Sequence, residues 1–175
     1  ATPESMEYYA DEDVYLVANI NGSPFAKDDN GFISKVTPDG QVSELKWLDG
    51  ESDKTALNAP KGMAIVADTL FVADIDCIRK FEKTTGNPFP ELCFNEGRFL
   101  NDLTSSDRGI LFFSDSGAPS APGAVFLLRS TADVPQKVAL ADGTVLDGEW
   151  LGGPNGVFVD RIGLYVATFQ SGQLF

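Results

Sequence analysis

The chain has 175 residues, of which 43% are hydrophobic and 22% are charged, a composition typical of a globular domain with a sizeable core. Its formal net charge of −13 disfavours binding to nucleic acid, and no apolar run is long enough for a membrane-spanning helix. The sequence contains no histidine, which excludes the catalytic triads that need one and leaves oxygen ligands for any bound metal.

Four segments of the chain repeat one pattern of predicted elements. They are "PESMEYYADEDVYLVANI", "APKGMAIVADTLFVADI", "FLNDLTSSDRGILFFSDS" and "GPNGVFVDRIGLYVATF". In each segment a short strand leads to a turn with an acidic residue, and a strongly apolar second strand then ends in a small polar step. The segments open at Pro3, Pro60, Leu100 and Pro154, so they recur every 40 to 57 residues, and a propeller blade of roughly 40–50 residues matches this period once the longer loops are allowed for.

Further short apolar runs between Gly, Pro and Asp turns supply two more strands in each complete repeat. The sequence therefore predicts one all-β domain over residues 1–175, a partial β-propeller of four-stranded antiparallel blades. The blades are expected near residues 3–48, 59–95, 99–141 and 153–175, about three and a half of six. A β-sandwich is the alternative, but it does not explain the recurring pattern. We expect the open end to continue into further blades or to be completed by self-association.

The two cysteines flank the predicted turn "FEKTTGNPF". A hairpin centred on Thr85 places Cys77 opposite Cys93 and Arg79 opposite Glu91. This register allows a disulfide in an oxidising compartment, and two buried thiols are the alternative. Periplasmic or secreted localisation is slightly favoured over cytoplasmic.

The four repeats resemble the gluconolactonase, regucalcin and luciferin-regenerating-enzyme family, and also the related NHL repeats. The likeness covers nearly the whole chain, and the "ND" and "PNG" steps are its most specific parts. The resemblance implies a six-bladed propeller that hydrolyses lactones or related esters with one divalent metal at the mouth of its central channel. A lactone-like small molecule is the implied substrate.

The resemblance implies the metal ligands residue by residue. Glu4 matches the glutamate ligand of the first blade, Asn155 matches the asparagine ligand, and Asn101 matches the asparagine near metal and substrate. Calcium is the favoured ion, with manganese, magnesium or zinc as alternatives. The family's general-base aspartate is expected beyond Phe175, so no catalytic residue is assigned here and residues 1–175 alone are expected to be inactive.

Lys61 departs from this pattern, because a cation at a first-strand start would repel a metal nearby. It either neutralises Glu4, binds an anionic substrate or points into solvent. Asn19, Asp74 and Asp115 end second strands on the same rim, where they either form turns or contact substrate. The competing function is a non-catalytic NHL-like propeller that binds a protein or small ligand.

Overall fold

Strands that follow one another in the sequence pair with one another in space. The computed structural model describes residues 1–52, 55–94, 98–118, 121–129 and 134–175. Its strands form three four-stranded sheets and one two-stranded sheet, all antiparallel, which we number 1 to 4 in chain order. By internal packing the chain divides into two units, Ala1–Cys93 and Phe94–Phe175.

The first unit contains sheets 1 and 2. Sheet 1 comprises β1 (Thr2–Tyr9), β2 (Val14–Ile20), β3 (Phe32–Val36) and β4 (Val42–Asp49), and sheet 2 comprises β5 (Pro60–Val66), β6 (Thr69–Asp74), β7 (Cys77–Glu82) and β8 (Pro88–Cys93). The middle strands are mostly buried, whereas β4 and β8 are largely exposed. This burial explains why the middle strands are nearly continuous apolar runs. The shared core of the unit includes Leu16, Ile33, Leu70 and Phe81.

The second unit contains sheets 3 and 4. Sheet 3 comprises β9 (Leu100–Ser105), β10 (Leu111–Ala118), β11 (Ala121–Leu128) and β12 (Gln136–Lys137), and sheet 4 comprises β13 (Pro154–Val159) and β14 (Leu164–Thr168). A four-residue helix, α1 (Gly148–Leu151), precedes sheet 4. Asp147 caps this helix by accepting a hydrogen bond from the Trp150 backbone N–H (3.1 Å). Val125, Leu151 and Val166 form the core of this unit, so it joins residues of both sheets and the helix.

A disulfide bond closes the outer hairpin of sheet 2. Cys77 pairs directly with Cys93, and their sulfurs are bonded. The Arg79 guanidinium also contacts the Glu91 carboxylate. The predicted register is confirmed at the cysteine end, where Ile78 also pairs with Leu92, but it shifts by one residue between Ile78 and Lys80, so that Lys80 pairs with Phe89. Of the two alternatives for the cysteines, the disulfide is the one found. None of the helices in the described part of the chain has the length and apolar run that crossing a bilayer requires.

Removing the disulfide should destabilise the protein. The bond joins residues 16 positions apart, and closing a loop of this length stabilises the native state by about 3 kcal/mol in the chain-entropy estimate. The Cys77→Ala/Cys93→Ala variant should lower the free energy of unfolding in urea by about that amount. A reductant should lower the wild-type value similarly and leave the variant unchanged. Equal stability of wild type and variant without reductant would contradict this prediction.

Candidate functional site

The four residues predicted at first-strand starts all lie on the same structural irregularity. In each sheet, the residue that precedes the predicted residue pairs with a polar residue of the second strand, as Pro60 pairs with Asp74. The residue two positions after the predicted residue pairs with the second-strand residue that lies two positions before that polar residue. The first strand therefore carries one extra residue, a β-bulge, at this point in every sheet. We call Glu4, Lys61, Asn101 and Asn155 the bulge residues. Bulges bend a strand and redirect its side chains, and they are frequent beside functional sites.

Serine hydroxyls fix the backbone of two bulge residues. In the first unit the Ser5 hydroxyl on β1 donates a hydrogen bond to the Lys61 carbonyl (2.6 Å). In the second unit the Ser114 hydroxyl on β10 donates to the Asn155 carbonyl, and the Ser116 hydroxyl donates to the Pro154 carbonyl (2.7 Å). Each later sheet of a unit is therefore anchored, at its bulge, to the sheet before it.

Lys61 is the most buried of the bulge residues, with 1% of its surface exposed. Its ammonium donates a hydrogen bond to the Ala59 carbonyl (2.9 Å). Burial lowers its pKa from 10.5 to about 8, although the nearby Asp74 and Glu4 carboxylates act in the opposite direction. Glu4 itself is exposed. The structure therefore brings Glu4 and Lys61 within electrostatic reach of one another in the first unit.

Asn101 and Asn155 lie on neighbouring first strands of the second unit. Asn101 is 8% exposed and Asn155 is half-buried. Hydrogen bonds connect their strands, because the Asp102 backbone N–H donates to the Ser114 hydroxyl (3.1 Å), which donates to the Asn155 carbonyl. Within the described residues neither asparagine side chain makes a hydrogen bond, so both amide oxygens remain available as ligands.

Asp102 is a residue of this site that the sequence analysis did not select. Its carboxylate accepts hydrogen bonds from the backbone N–H groups of Leu103 (2.9 Å) and Val157 (2.8 Å) and so connects β9 to β13. Burial raises its pKa, and these two backbone bonds oppose the shift. The sequence did distinguish this position, because the equivalent residue in the other repeats is small and uncharged: Ser5, Gly62 or Gly156. Because both oxygens are engaged, we assign Asp102 a positioning role.

The residues predicted on the rim are buried in their second strands, where Asp74 is the last residue of β6, Asn19 is the last but one of β2, and Asp115 lies three residues before the end of β10. Asp74 accepts hydrogen bonds from the Asn58 and Ala59 backbone N–H groups (3.1 and 2.7 Å) and from the Arg79 Nε (2.9 Å). These bonds hold the segment that enters the first strand of sheet 2. A contact between this carboxylate and substrate stays a prediction, and any such contact would compete with these bonds.

Asp115 has the same role in sheet 3. It accepts hydrogen bonds from the Phe99 and Gly117 backbone N–H groups and from the Arg98 guanidinium, each at 2.9 Å. Asn19 occupies the equivalent position in sheet 1 and donates to the Val17 carbonyl (2.9 Å) and the Ser34 hydroxyl (3.1 Å). The predicted substrate contacts of Asp115 and Asn19 likewise remain untested.

One other cluster has the composition of a metal site. The sulfurs of Cys77 and Cys93 and a carboxylate oxygen of Glu91 lie within 4.8 Å of one another. Because the two sulfurs are bonded to each other, they cannot act as thiolate ligands. No second group of three Cys, Asp or Glu side chains lies this close together among the residues that the structure describes.

The donor chemistry of the second unit fits a hard divalent cation. Asn101 and Asn155 offer neutral amide oxygens that accept no hydrogen bond from the described residues, and calcium accepts such ligands. The first unit fits less well, because the buried Lys61 ammonium lies close enough to Glu4 to affect its own pKa. In the first unit the carboxylate is thus partly neutralised by the chain itself.

Two solved structures show which fold the chain adopts. The chain is similar to a gluconolactonase from Xanthomonas campestris, with 18% identity and a TM-score of 0.59 over 100% of this chain and 75% of that one. It is also similar to the extracellular domain of a B. thetaiotaomicron protein described as a one-component system. There the identity is 10% and the TM-score 0.60, over 99% of this chain and 21% of that one.

No protein-family model matches the chain, and no curated protein does. The chain spans about a fifth of the length of the solved B. thetaiotaomicron extracellular domain and three-quarters of the solved gluconolactonase chain. At these identities the likeness shows the fold alone. It confirms the prediction of an all-β chain built from the four-stranded antiparallel blades of a β-propeller.

The lowered pKa of Lys61 predicts how stability depends on pH. Between pH 8 and 10.5 the unfolded chain binds more protons at this residue than the native state, so the free energy of unfolding should rise with pH. The rise from this residue is about 3 kcal/mol, since one pKa unit corresponds to about 1.4 kcal/mol.

Urea unfolding between pH 7.5 and 10.5 tests this prediction. The Lys61→Met variant should lack this increment, whereas the control Lys137→Met, at an exposed position, should keep it. If Lys61→Met and wild type showed the same pH dependence, burial of the Lys61 ammonium would not lower the free energy of unfolding, and the prediction would be wrong.

Proposed function

We propose that the full-length protein is a divalent-metal-dependent hydrolase of lactones or related esters. The observation that carries the proposal is the pair of amide side chains of Asn101 and Asn155, which lie on neighbouring bulges of the second unit and make no hydrogen bond to the described part of the chain. The gluconolactonase-like fold supports the same assignment. Glu4 is the proposed anionic ligand, and calcium is the favoured ion, with manganese, magnesium or zinc as alternatives.

The bound ion would polarise the carbonyl of the cyclic ester and lower the pKa of an attacking water. The residues of this chain would bind the ion and orient its ligands. Asn101 and Asn155 present their oxygens, Ser114 and Asp102 fix the strands that carry them, and Lys61 offsets the charge of Glu4. The resemblance assigns general-base catalysis to an aspartate outside residues 1–175.

We also propose an extracytoplasmic location, periplasmic or secreted. The Cys77–Cys93 disulfide supports it, because such bonds persist in oxidising compartments. The extracellular domain from B. thetaiotaomicron has a similar fold, which agrees with this proposal.

A non-catalytic binding propeller is the second candidate. Two observations favour it: the likeness to that extracellular domain, and the ammonium of Lys61 close to the carboxylate expected to bind metal. In this case the bulge residues would contact a ligand without a metal.

Metal dependence of lactone opening decides between the two functions. The full-length protein should hydrolyse simple lactones in a pH-stat assay, lose activity on chelation and regain it when calcium or manganese is added. Asn155→Ala should weaken metal affinity by about tenfold or more, because a ligand oxygen is lost. The control Asn87→Ala changes an exposed asparagine in the connection between β7 and β8 and should leave affinity unchanged. A folded protein that binds no metal and opens no lactone would favour the binding propeller.

A further inference from the structure

The disulfide of sheet 2 lies in a group of side chains that includes a carboxylate. Cys77 and Cys93 pair across β7 and β8, and Glu91 precedes Cys93 by two residues on β8. A carboxylate oxygen of Glu91 and the two sulfurs all lie within 4.8 Å of one another. The outer hairpin of this sheet therefore brings three side chains together whose ligand atoms are two sulfurs and an oxygen.

A second carboxylate lies beside this group. Asp76 Oδ1 is 3.6 Å from the Cys77 sulfur. Both carboxylates already bind a cation through one oxygen, because Asp76 Oδ2 binds the Lys27 ammonium (2.5 Å) and Glu91 Oε2 contacts the Arg79 guanidinium. A carboxylate has two oxygens, so each can keep its ion pair and coordinate an ion through the other oxygen.

Reduction of the disulfide would convert this group into a set of metal ligands. A low-molecular-weight thiol reductant supplies two electrons and two protons and is itself oxidised to a disulfide, so Cys77 and Cys93 each carry an S–H group. A divalent ion then displaces both protons into solvent, forms two metal–sulfur bonds and accepts an oxygen of Glu91. Cys93 and Glu91 are exposed, so the reductant and the ion can both reach the group.

The spacing of the three ligand atoms suits zinc. In a tetrahedral zinc site, with Zn–S bonds of about 2.3 Å and Zn–O bonds of about 2.0 Å, neighbouring ligand atoms lie about 3.5–3.8 Å apart. The ligand atoms of the group start within 4.8 Å of one another. Two sulfurs that are no longer bonded move apart to their van der Waals separation, which is close to that spacing. Small side-chain rotations therefore suffice to form the site.

The charges around the reduced group also favour a divalent cation. Two thiolates and the carboxylates of Glu91 and Asp76 carry four negative charges. The ion, Lys27 and Arg79 carry four positive ones, although Arg79 also pairs with Asp74 (2.9 Å). Without the ion, each thiolate would face like charges, and its protonated form would be favoured. Lys27 and Arg79 thus act as outer partners that hold the carboxylates in place.

We propose that the reduced protein binds zinc through the sulfurs of Cys77 and Cys93 and the carboxylate of Glu91. The hairpin is then closed by a covalent bond in an oxidising compartment and by a metal ion in a reducing one. Thiolate ligands select zinc over calcium and magnesium, which prefer oxygen. The inference is independent of the proposed function, because it uses none of the bulge residues.

Cobalt substitution tests this site in the full-length protein. The wild type is reduced with a phosphine, which becomes a phosphine oxide, and is titrated with Co²⁺ in the absence of oxygen. It should gain a thiolate-to-cobalt charge-transfer band and the visible bands of a tetrahedral ion, and zinc should remove both. The bands should be absent from the oxidised wild type and from Cys77→Ser/Cys93→Ser, which accounts for any cysteine outside residues 1–175.

Two glutamine variants test the carboxylate ligand. Glu91→Gln should weaken the zinc affinity of the reduced protein by about tenfold or more, measured by competition with a chelating dye, because a charged ligand is lost. The control Glu44→Gln removes an exposed carboxylate from β4, the outer strand of sheet 1, and should leave the affinity unchanged.

Three results would overturn the proposal. The first is a reduced wild type that shows no charge-transfer band with cobalt, and the second is equal zinc affinity of Glu91→Gln and wild type. The third is a band that appears only in protein whose β-sheet signal in circular dichroism has been lost, because the ion would then bind unfolded chains rather than the hairpin.

Discussion

A buried carboxylate in the second strand, paired with the residue before the bulge, organises sheets 2 and 3. Asp74 and Asp115 are 0% exposed, and each accepts at least one hydrogen bond from a backbone N–H of the segment that enters the first strand of its own sheet. An arginine compensates each charge. Removing one partner of such a buried pair costs about 3–5 kcal/mol in general. The position of each first strand, and of the bulge that follows, depends on this interaction.

The β-bulge in each first strand determines where the candidate site residues lie. A regular first strand would continue its alternation of side chains, but the extra residue interrupts this alternation at the same point in all four sheets. A carboxylate (Glu4), an ammonium (Lys61) and two amides (Asn101 and Asn155) occupy the same backbone irregularity, although their burial ranges from 1% exposed at Lys61 to exposed at Glu4. The chemistry available at each position therefore depends on the side chain and its surroundings rather than on the bulge alone.

The fold could be predicted from the sequence wherever it depends on periodic or local patterns. Strand order, the all-β class and the pairing of Cys77 with Cys93 follow from apolar runs and turn residues, which act locally. The burial of Lys61 could not be predicted, because it arises from packing against residues far along the chain. The roles of Asp74 and Asp115 could not be predicted either, because a polar residue near the end of a strand gives the same sequence pattern whether it binds the backbone or a ligand.

The disulfide also affects how the protein reaches its native state. The 175 residues contain two cysteines, so within them only one intramolecular pairing exists and no isomerisation among alternative bonds is required. Both cysteines belong to one hairpin, and the bond can therefore form once residue 93 has left the ribosome and reached an oxidising environment. Expression in a reducing cytoplasm would delay this step until purification, where a mild oxidant could complete it without a disulfide isomerase.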